Sequence, residues 1–392
     1  MSVAIAPARA RSGEWSAEPG FGVYVHIPFC RHRCHYCDFN TYEGLDALFA
    51  PYVDALVADI DRFEGEAPPA TSVFFGGGTP TLLEPGQLGR ILAAVGQRMG
   101  IERGAEITVE VNPETVDEAA FDALLTAGFN RFSVGVQSLA PHVLEALGRE
   151  HSAEVALAAL AAAQRAGATD LNADLIYGSP WERPGDWVRS LEGVIAAGTQ
   201  HVSAYALSVE ESTPLHTLIS TGRVPDVDGD VQAERHGVAH EHLQAAGFQR
   251  YETSNWAVDG RASRHNVLYW SAGNYAGFGA GAHAHIDGRR WWSVRLPREF
   301  ISAVERDVTT EAGYEQLEDS QRGPEALMLG LRLTSGVELG ALARAYGEEF
   351  LAERAPTIEQ LVGSGLLERA GSWLRLAPRS TMLGNDIVCR LL

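Results

Sequence analysis

Six short β-rich runs, alternating with helix-length amphipathic segments, constrain the fold of this chain more than any other feature. The runs are FGVYVHI (21 to 27), TSVFFGG (71 to 77), AEITVEVN (105 to 112), NRFSVGVQ (130 to 137), TDLNADLIYG (169 to 178) and QHVSAYAL (200 to 207). Between them lie LDALFAPYVDALVADIDRF, EPGQLGRILAAVGQRM, VDEAAFDALLTAG, SAEVALAALAAAQRAG and RPGDWVRSLEGVIAAG, whose apolar residues recur at helical spacing. Strand followed by helix, repeated, predicts parallel strands in one sheet covered by helices. The expected class is therefore α/β, a partial (β/α)6 TIM-like barrel over residues 21–208. A flat doubly wound sheet is the alternative architecture.

The rhythm changes after residue 208. A Pro-, Gly- and Asp-rich excursion, STPLHTLISTGRVPDVDGD, opens an α/β extension over 209–319. Residues 320–392 are helical apart from a hairpin at GLLERAGSWLRLAP, so the C-terminal α+β region ends in a segment that resembles a winged-helix module. Acidic and basic residues balance there, eight of each, which suits packing or partner docking better than DNA binding. Residues 1–20 read as a flexible tail. They lack the apolar core of a signal peptide, and no later stretch is apolar enough to span a bilayer, so a cytoplasmic protein is expected and an organelle-targeting peptide is the weaker reading.

A formal charge of -20 argues against partners held mainly through phosphates, and so against nucleic acid. Every basic residue is Arg, a bias best explained by nucleotide composition.

Three of the four cysteines fall within eight positions in FCRHRCHYCDFN, as Cys30-x-x-x-Cys34-x-x-Cys37, directly after the first strand. Four cysteines with Cys389 isolated do not make a disulfide framework, and a tight cluster in a reducing compartment points to metal. A structural zinc site wants four closed ligands, and one of His26, His32 or His35 would have to complete it. Three thiolates on a 4Fe-4S cluster instead leave one iron open to a further ligand. This spacing resembles that of the radical S-adenosylmethionine (SAM) superfamily, in which the open iron binds the methionine part of SAM.

Other residues gather at the ends of the same strands. FFGGGTPT follows the second strand, and its glycines permit close backbone approach to a ligand, which suits Gly77, Gly78 and Thr79 to SAM; a tight strand-to-helix turn is the plainer reading. Glu110, Gln137 and Asp174 place polar groups near strand ends where a core strand would be apolar. They read either as partners of loop amides or as a rim around a polar ligand.

YVHIPFCRHRCHYCDF, FFGGGTPT, EVNPET, RFSVGVQS, DLIYGSP, YETSNWA, RHNVLYW and GFGAGAHAH occur in that order. Together they resemble the oxygen-independent coproporphyrinogen III oxidase family of radical SAM proteins. The resemblance implies Cys30, Cys34 and Cys37 as ligands of a 4Fe-4S cluster, Tyr24 against the methionine of SAM and Tyr36 by its adenine. Gly77, Gly78, Thr79, Glu110, Gln137, Arg149 and Asp174 would complete the SAM site. Members that oxidise coproporphyrinogen carry a further Cys two positions after the third cluster thiol, where this chain has Phe39, and a long N-terminal segment. The CDF form with HNVLYW resembles instead the HemW branch, the haem chaperones. That branch implies haem as cargo, haem-accepting proteins as partners, an electron donor such as a flavodoxin or ferredoxin, and a possible homodimer. His265, Asn266, Tyr269 and Trp270 would then contact haem, an imidazole being a common axial ligand; their plainer reading is a hydrogen-bonded turn residue with core aromatics. His283 and His285 are competing ligand candidates. The expected function is haem binding and transfer, with coproporphyrinogen oxidation the alternative and a tRNA-modifying enzyme disfavoured by the acidic charge.

Overall fold

The computed structural model describes residues 13–392. All six expected strands form and pair in parallel: β1 Phe21–Ile27, β2 Ala70–Gly77, β3 Ile101–Val111, β4 Arg131–Gln137, β5 Leu171–Tyr177 and β6 His201–Ala206. The intervening helices begin and end on local signals. Helix Pro85–Arg98 starts in a capping box of Glu84 and Gln87, and helix Glu118–Ala127 starts where Asp117 accepts from the Ala120 amide and stops at Gly128 in the left-handed region.

The sheet is larger than the sequence suggested. Residues 209–319 supply β7 Gln249–Arg250, β8 Asn255–Ala257, β9 Asn274–Phe278, β10 His283–Ile286, β11 Arg289–Ser293 and β12 Glu311–Gln316, and these join the first sheet instead of forming a separate one. Its order is β12-β11-β10-β9-β1-β2-β3-β4-β5-β6-β8-β7. The open edges of a partial barrel expose unpaired backbone groups; β9 satisfies β1 in parallel, and β8 satisfies β6 antiparallel. Helix Arg264–Trp270 connects β8 to β9, so it crosses from one edge of the barrel to the other.

The two faces of the sheet differ. Val23, Val25, Val73, Phe75, Val109, Phe132 and Val134 are fully buried in the apolar core. Alternate positions face the concave interior, where Thr108, Glu110, Arg131, Ser133, Asn172, Asp174, His201 and Ser203 line a cavity of about 160 Å³. The period-2 alternation that hides valines outside thus builds a polar barrel inside.

A second apolar core joins the C-terminal region to the barrel. There β13 Val337–Glu338, β15 Trp373–Leu376 and β14 Leu367–Ala370 form an antiparallel sheet beside four helices, with the expected hairpin and last helix in place. The tail reading needs correction. Residues 1–12 lie outside the described residues, but Trp15 is only 5 % exposed and packs in this second core, because a large indole gains more from apolar burial than from solvent.

Candidate functional site

The cysteine loop is anchored on both sides. Phe29, fully buried, packs its ring 4.7 Å from Phe49 and 5.1 Å from Tyr52. The Cys30 amide donates to the Tyr42 carbonyl at 3.0 Å, and the Cys37 amide to the Cys34 carbonyl at 3.2 Å. On the far side the His35 amide reaches the Leu147 carbonyl at 3.0 Å, docking the loop on the segment that carries Arg149. Cys30, Cys34 and Cys37 are half-buried free thiols, while Cys389 is exposed in the last helix. Thr79 Oγ1 donates to Cys30 Sγ at 3.8 Å and Arg149 Nη1 to Cys34 Sγ at 3.4 Å. Burial pushes the Cys30 thiol up to about 11, against the Thr79 hydrogen bond, and also raises Cys37.

The glycines of FFGGGTPT serve this loop. A Cβ on Gly78 would lie 2.5 Å from the Phe29 carbonyl oxygen, and one on Gly77, at φ +113°, would strike the His26 ring. The freed space lets the Gly78 amide donate to the Ile27 carbonyl at 2.8 Å and the Thr79 amide to the Phe29 carbonyl at 2.7 Å. The Gly77 amide donates to Glu110 Oε2 at 2.9 Å. The Gly78 and Thr79 amides thus tie the turn to the end of β1 and the start of the cysteine loop, and the Gly77 amide ties it to β3.

The rim residues do converge. Tyr24, Gly77 and Glu110 line a cavity of about 730 Å³ together with Phe39, Tyr275, His283, Trp292 and Arg295. Tyr24 and Glu110 also line the polar interior, so they stand between the two spaces. Tyr24 is oriented by His26, whose Nε2 donates to the Asn40 carbonyl at 2.9 Å and whose Nδ1 therefore accepts the Tyr24 hydroxyl at 2.9 Å. Asp174 accepts from Ser133 Oγ and Asn172 Nδ2, both at 2.8 Å. Gln137 takes a positive φ of 62° at the end of β4, a strained conformation for a non-glycine residue, and its amide lies over Gly135 near Arg149. Arg149 also donates to Asn112, which ties β3 to the cysteine loop. Tyr36 packs beside Trp181 against the small cluster of Val143, Leu147, Ile176 and Leu207.

Burial, and secondarily the Asp174 charge, push the Glu110 carboxyl up to about 8, with the Gly77 amide opposing. The folded chain therefore holds a proton that the unfolded chain releases, and stability falls as pH rises from the ordinary carboxylate range through about 8. Glu110→Gln is expected to remove this slope: the ligand-free variant melts several degrees above the parent near about pH 9 and alike near about pH 5. Parallel melting curves at both pH values would refute the assignment.

The HNVLYW helix lies across the barrel, where Tyr269 lines both the 730 Å³ cavity and the polar interior, and His265 and Asn266 line the interior. His265 is 2 % exposed, with Nδ1 2.9 Å from Ser72 Oγ on β2 and Nε2 2.9 Å from the Tyr269 hydroxyl. Its amide donates to Glu106 on β3 at 3.0 Å, and its ring stacks 5.3 Å from Phe74. Asn266 Nδ2 donates to the Tyr251 hydroxyl at 3.1 Å, and Trp270 packs in the second core beneath the Arg332 guanidinium at 5.0 Å. The helix is a plug at the N-terminal ends of the strands. Both imidazole nitrogens of His265 are engaged in this conformation, so neither is open to iron in it. Of the competitors, His285 Nδ1 bonds the Gly273 carbonyl at 3.2 Å, whereas His283 is exposed in the 730 Å³ cavity. Burial and the nearby Arg295 and Arg290 charges lower the His283 pKa.

The residues fit the groups they would hold. Among the described residues no three His, Cys, Asp or Glu side chains converge as they must around a single ion. A 4Fe-4S cluster does not require this, since each thiolate binds a different iron. Three half-buried thiols on one loop, two of them accepting from Thr79 and Arg149, suit an anionic cluster, and the cavity beside them has an acidic floor at Glu110 for the cationic part of SAM.

Sequence reasoning passed over Asn112, Asn172, His201, Tyr275, Trp292 and Arg295. The strand residues among them were visible as polar members of alternating runs; Trp292 and Arg295 come from β11 and the loop after it, which carry no motif.

Comparison with known proteins places this architecture. The Radical SAM superfamily matches residues 24–192 and the HemN C-terminal domain matches 317–383. The heme chaperone HemW of Mycobacterium tuberculosis is 40% identical over 377 residues, 95% of each chain. HemW of Bacillus subtilis is 32% identical over 93% of this chain and 97% of its own. The structure of coproporphyrinogen III oxidase (HemN) from Escherichia coli superposes with a TM-score of 0.80 at 21% identity, covering 97% of this chain and 91% of that one, which shows a shared fold. With its cysteine loop, glycine turn and barrel rim in one place, and with this identity running end to end, the chain belongs to the HemW family of radical SAM proteins.

Proposed function

We propose that this protein is a haem chaperone that binds haem and passes it to acceptor haem proteins in the cytoplasm, carrying a 4Fe-4S cluster on Cys30, Cys34 and Cys37 and SAM beside it. The observation that carries the reading is the identity to heme chaperones over 95% of both chains. Phe39, 63 % exposed at the mouth of the cavity, supports it: an apolar ring stands where an oxidase would present a thiol. When bound, the cluster supplies a one-electron donor and an open iron for SAM.

The chain's own residues prepare that site. Arg149 and Thr79 donate to cysteine sulfurs and so offset the charge of the thiolates. Glu110 offers a carboxylate to a cationic ligand, and because its proton must first leave to solvent, SAM binding tightens as pH rises towards about 8. The His26 bond fixes the Tyr24 hydroxyl, and so the ring, between the two cavities. An electron donor of the flavodoxin or ferredoxin kind and a homodimer complete the proposal. Among the described residues no helix is long and apolar enough to cross a membrane.

The test is anaerobic turnover of the reconstituted protein with SAM, a reductant and coproporphyrinogen III, followed by haem titration of the same sample. Stoichiometric haem binding without protoporphyrinogen is expected. Porphyrin product in proportion to SAM cleaved would make the protein an oxidase.

A further inference from the structure

We propose that haem is held in the 730 Å³ cavity at the mouth of the barrel, with its iron on a ring nitrogen of His283, its macrocycle against Phe39, and a propionate on Arg295. The inference rests on the haem-chaperone reading and adds the location of the cargo.

Four observations converge. The cavity, about 730 Å³ and within the range of about 300–1,000 Å³ usual for ligand sites, offers haem its Phe39, His283 and Arg295 side and leaves the Tyr24 and Glu110 side to SAM. Among the described histidines, His265 and His26 have both ring nitrogens engaged, and His285, whose Nδ1 alone is bonded, lines a different and smaller cavity of about 200 Å³. His283 alone of these has no hydrogen-bond partner among the described residues, and its ring is oriented by Trp292, near-parallel at 29° and 5.8 Å away. Phe39, 63 % exposed, offers an apolar ring to a flat ligand in the same cavity. Arg295, exposed at the rim, is held by its Nε at 3.3 Å from Asn40 Oδ1 and supplies a cation for a carboxylate at the cavity edge. Asn40 also fixes His26, which orients Tyr24, so the haem rim and the SAM floor share one hydrogen-bonded frame.

The test is a haem titration of the anaerobically reconstituted full-length protein, read by Soret absorbance and by electron paramagnetic resonance of the ferric form. In His283→Ala the affinity is expected to fall by roughly tenfold or more, with a changed ligation signature that added imidazole restores, while iron and sulfide content stay at the parent level. Phe39→Glu, at a position exposed enough to tolerate the change, is expected to weaken binding severalfold without altering the ligation signature. His265→Gln is expected to leave that signature intact. Unchanged affinity and spectrum in His283→Ala, or loss of the signature in His265→Gln, would overturn the location and leave the chaperone reading standing. A parent protein that takes up no haem would bring down both.

Discussion

Replacing Cys34 with Ala is expected to leave the protein without its cluster: iron and sulfide fall from about four of each per chain to background, and SAM no longer binds in equilibrium dialysis. Cys34 is the thiol that Arg149 addresses, at 3.4 Å, and it sits between the other two on a loop held by backbone bonds to Tyr42 and Leu147. Those bonds do not involve the sulfur, and Arg149 keeps its acceptors Asn112 and Gly135. The apo fold should therefore melt close to the parent, within about 1 kcal/mol. Cys389→Ala, exposed in the last helix, is the comparison and should load normally. Full iron and sulfide content in Cys34→Ala would remove the three-thiol assignment.

Gly78→Ala is expected to do nearly as much damage without touching a ligand. The new Cβ meets the Phe29 carbonyl oxygen at 2.5 Å, a backbone atom that cannot swing aside as a flexible side chain would. Either the Gly78 and Thr79 amides leave the Ile27 and Phe29 carbonyls, or the loop carrying Cys30 moves. Overpacking of this kind costs about 1–3 kcal/mol, and the displaced Thr79 hydroxyl no longer reaches Cys30. We expect a lowered melting temperature and poor cluster reconstitution. Gly86→Ala, in the first turn of a helix with nothing within 4 Å, controls for the loss of glycine itself and should be neutral or slightly stabilising. Equal iron loading in the two variants would show that the close approach is not needed.

The strands, the helices between them and the cysteine loop were legible in the chain because each is specified locally. Alternation of apolar and polar residues fixes which side of a strand faces the core, and capping residues and glycines mark helix ends. The same alternation already contained the polar barrel interior, in Ser133, Asn172, Asp174 and Ser203, though only the strand-end carboxylates drew notice. The parallel neighbours β1 to β6 followed from right-handed strand-helix-strand connections, which leave little freedom of order.

What the tertiary structure alone decided were the contacts between distant segments. His265 meets Ser72 across 193 residues, and Asn40 meets Arg295 across 255. No local period encodes either pairing. The HNVLYW motif presents an imidazole and two aromatics in a row, a composition equally suited to a haem pocket and to a barrel plug; the helix that joins β8 to β9 must cross the barrel, and burying it there takes up both nitrogens of His265. His283 stays open because β10 lies in the antiparallel extension beyond β1, where its side chain faces the cavity and no helix covers it. Local sequence determined which chemistry the chain carries, whereas packing between segments far apart in sequence decided which copies of that chemistry remain free to meet a ligand.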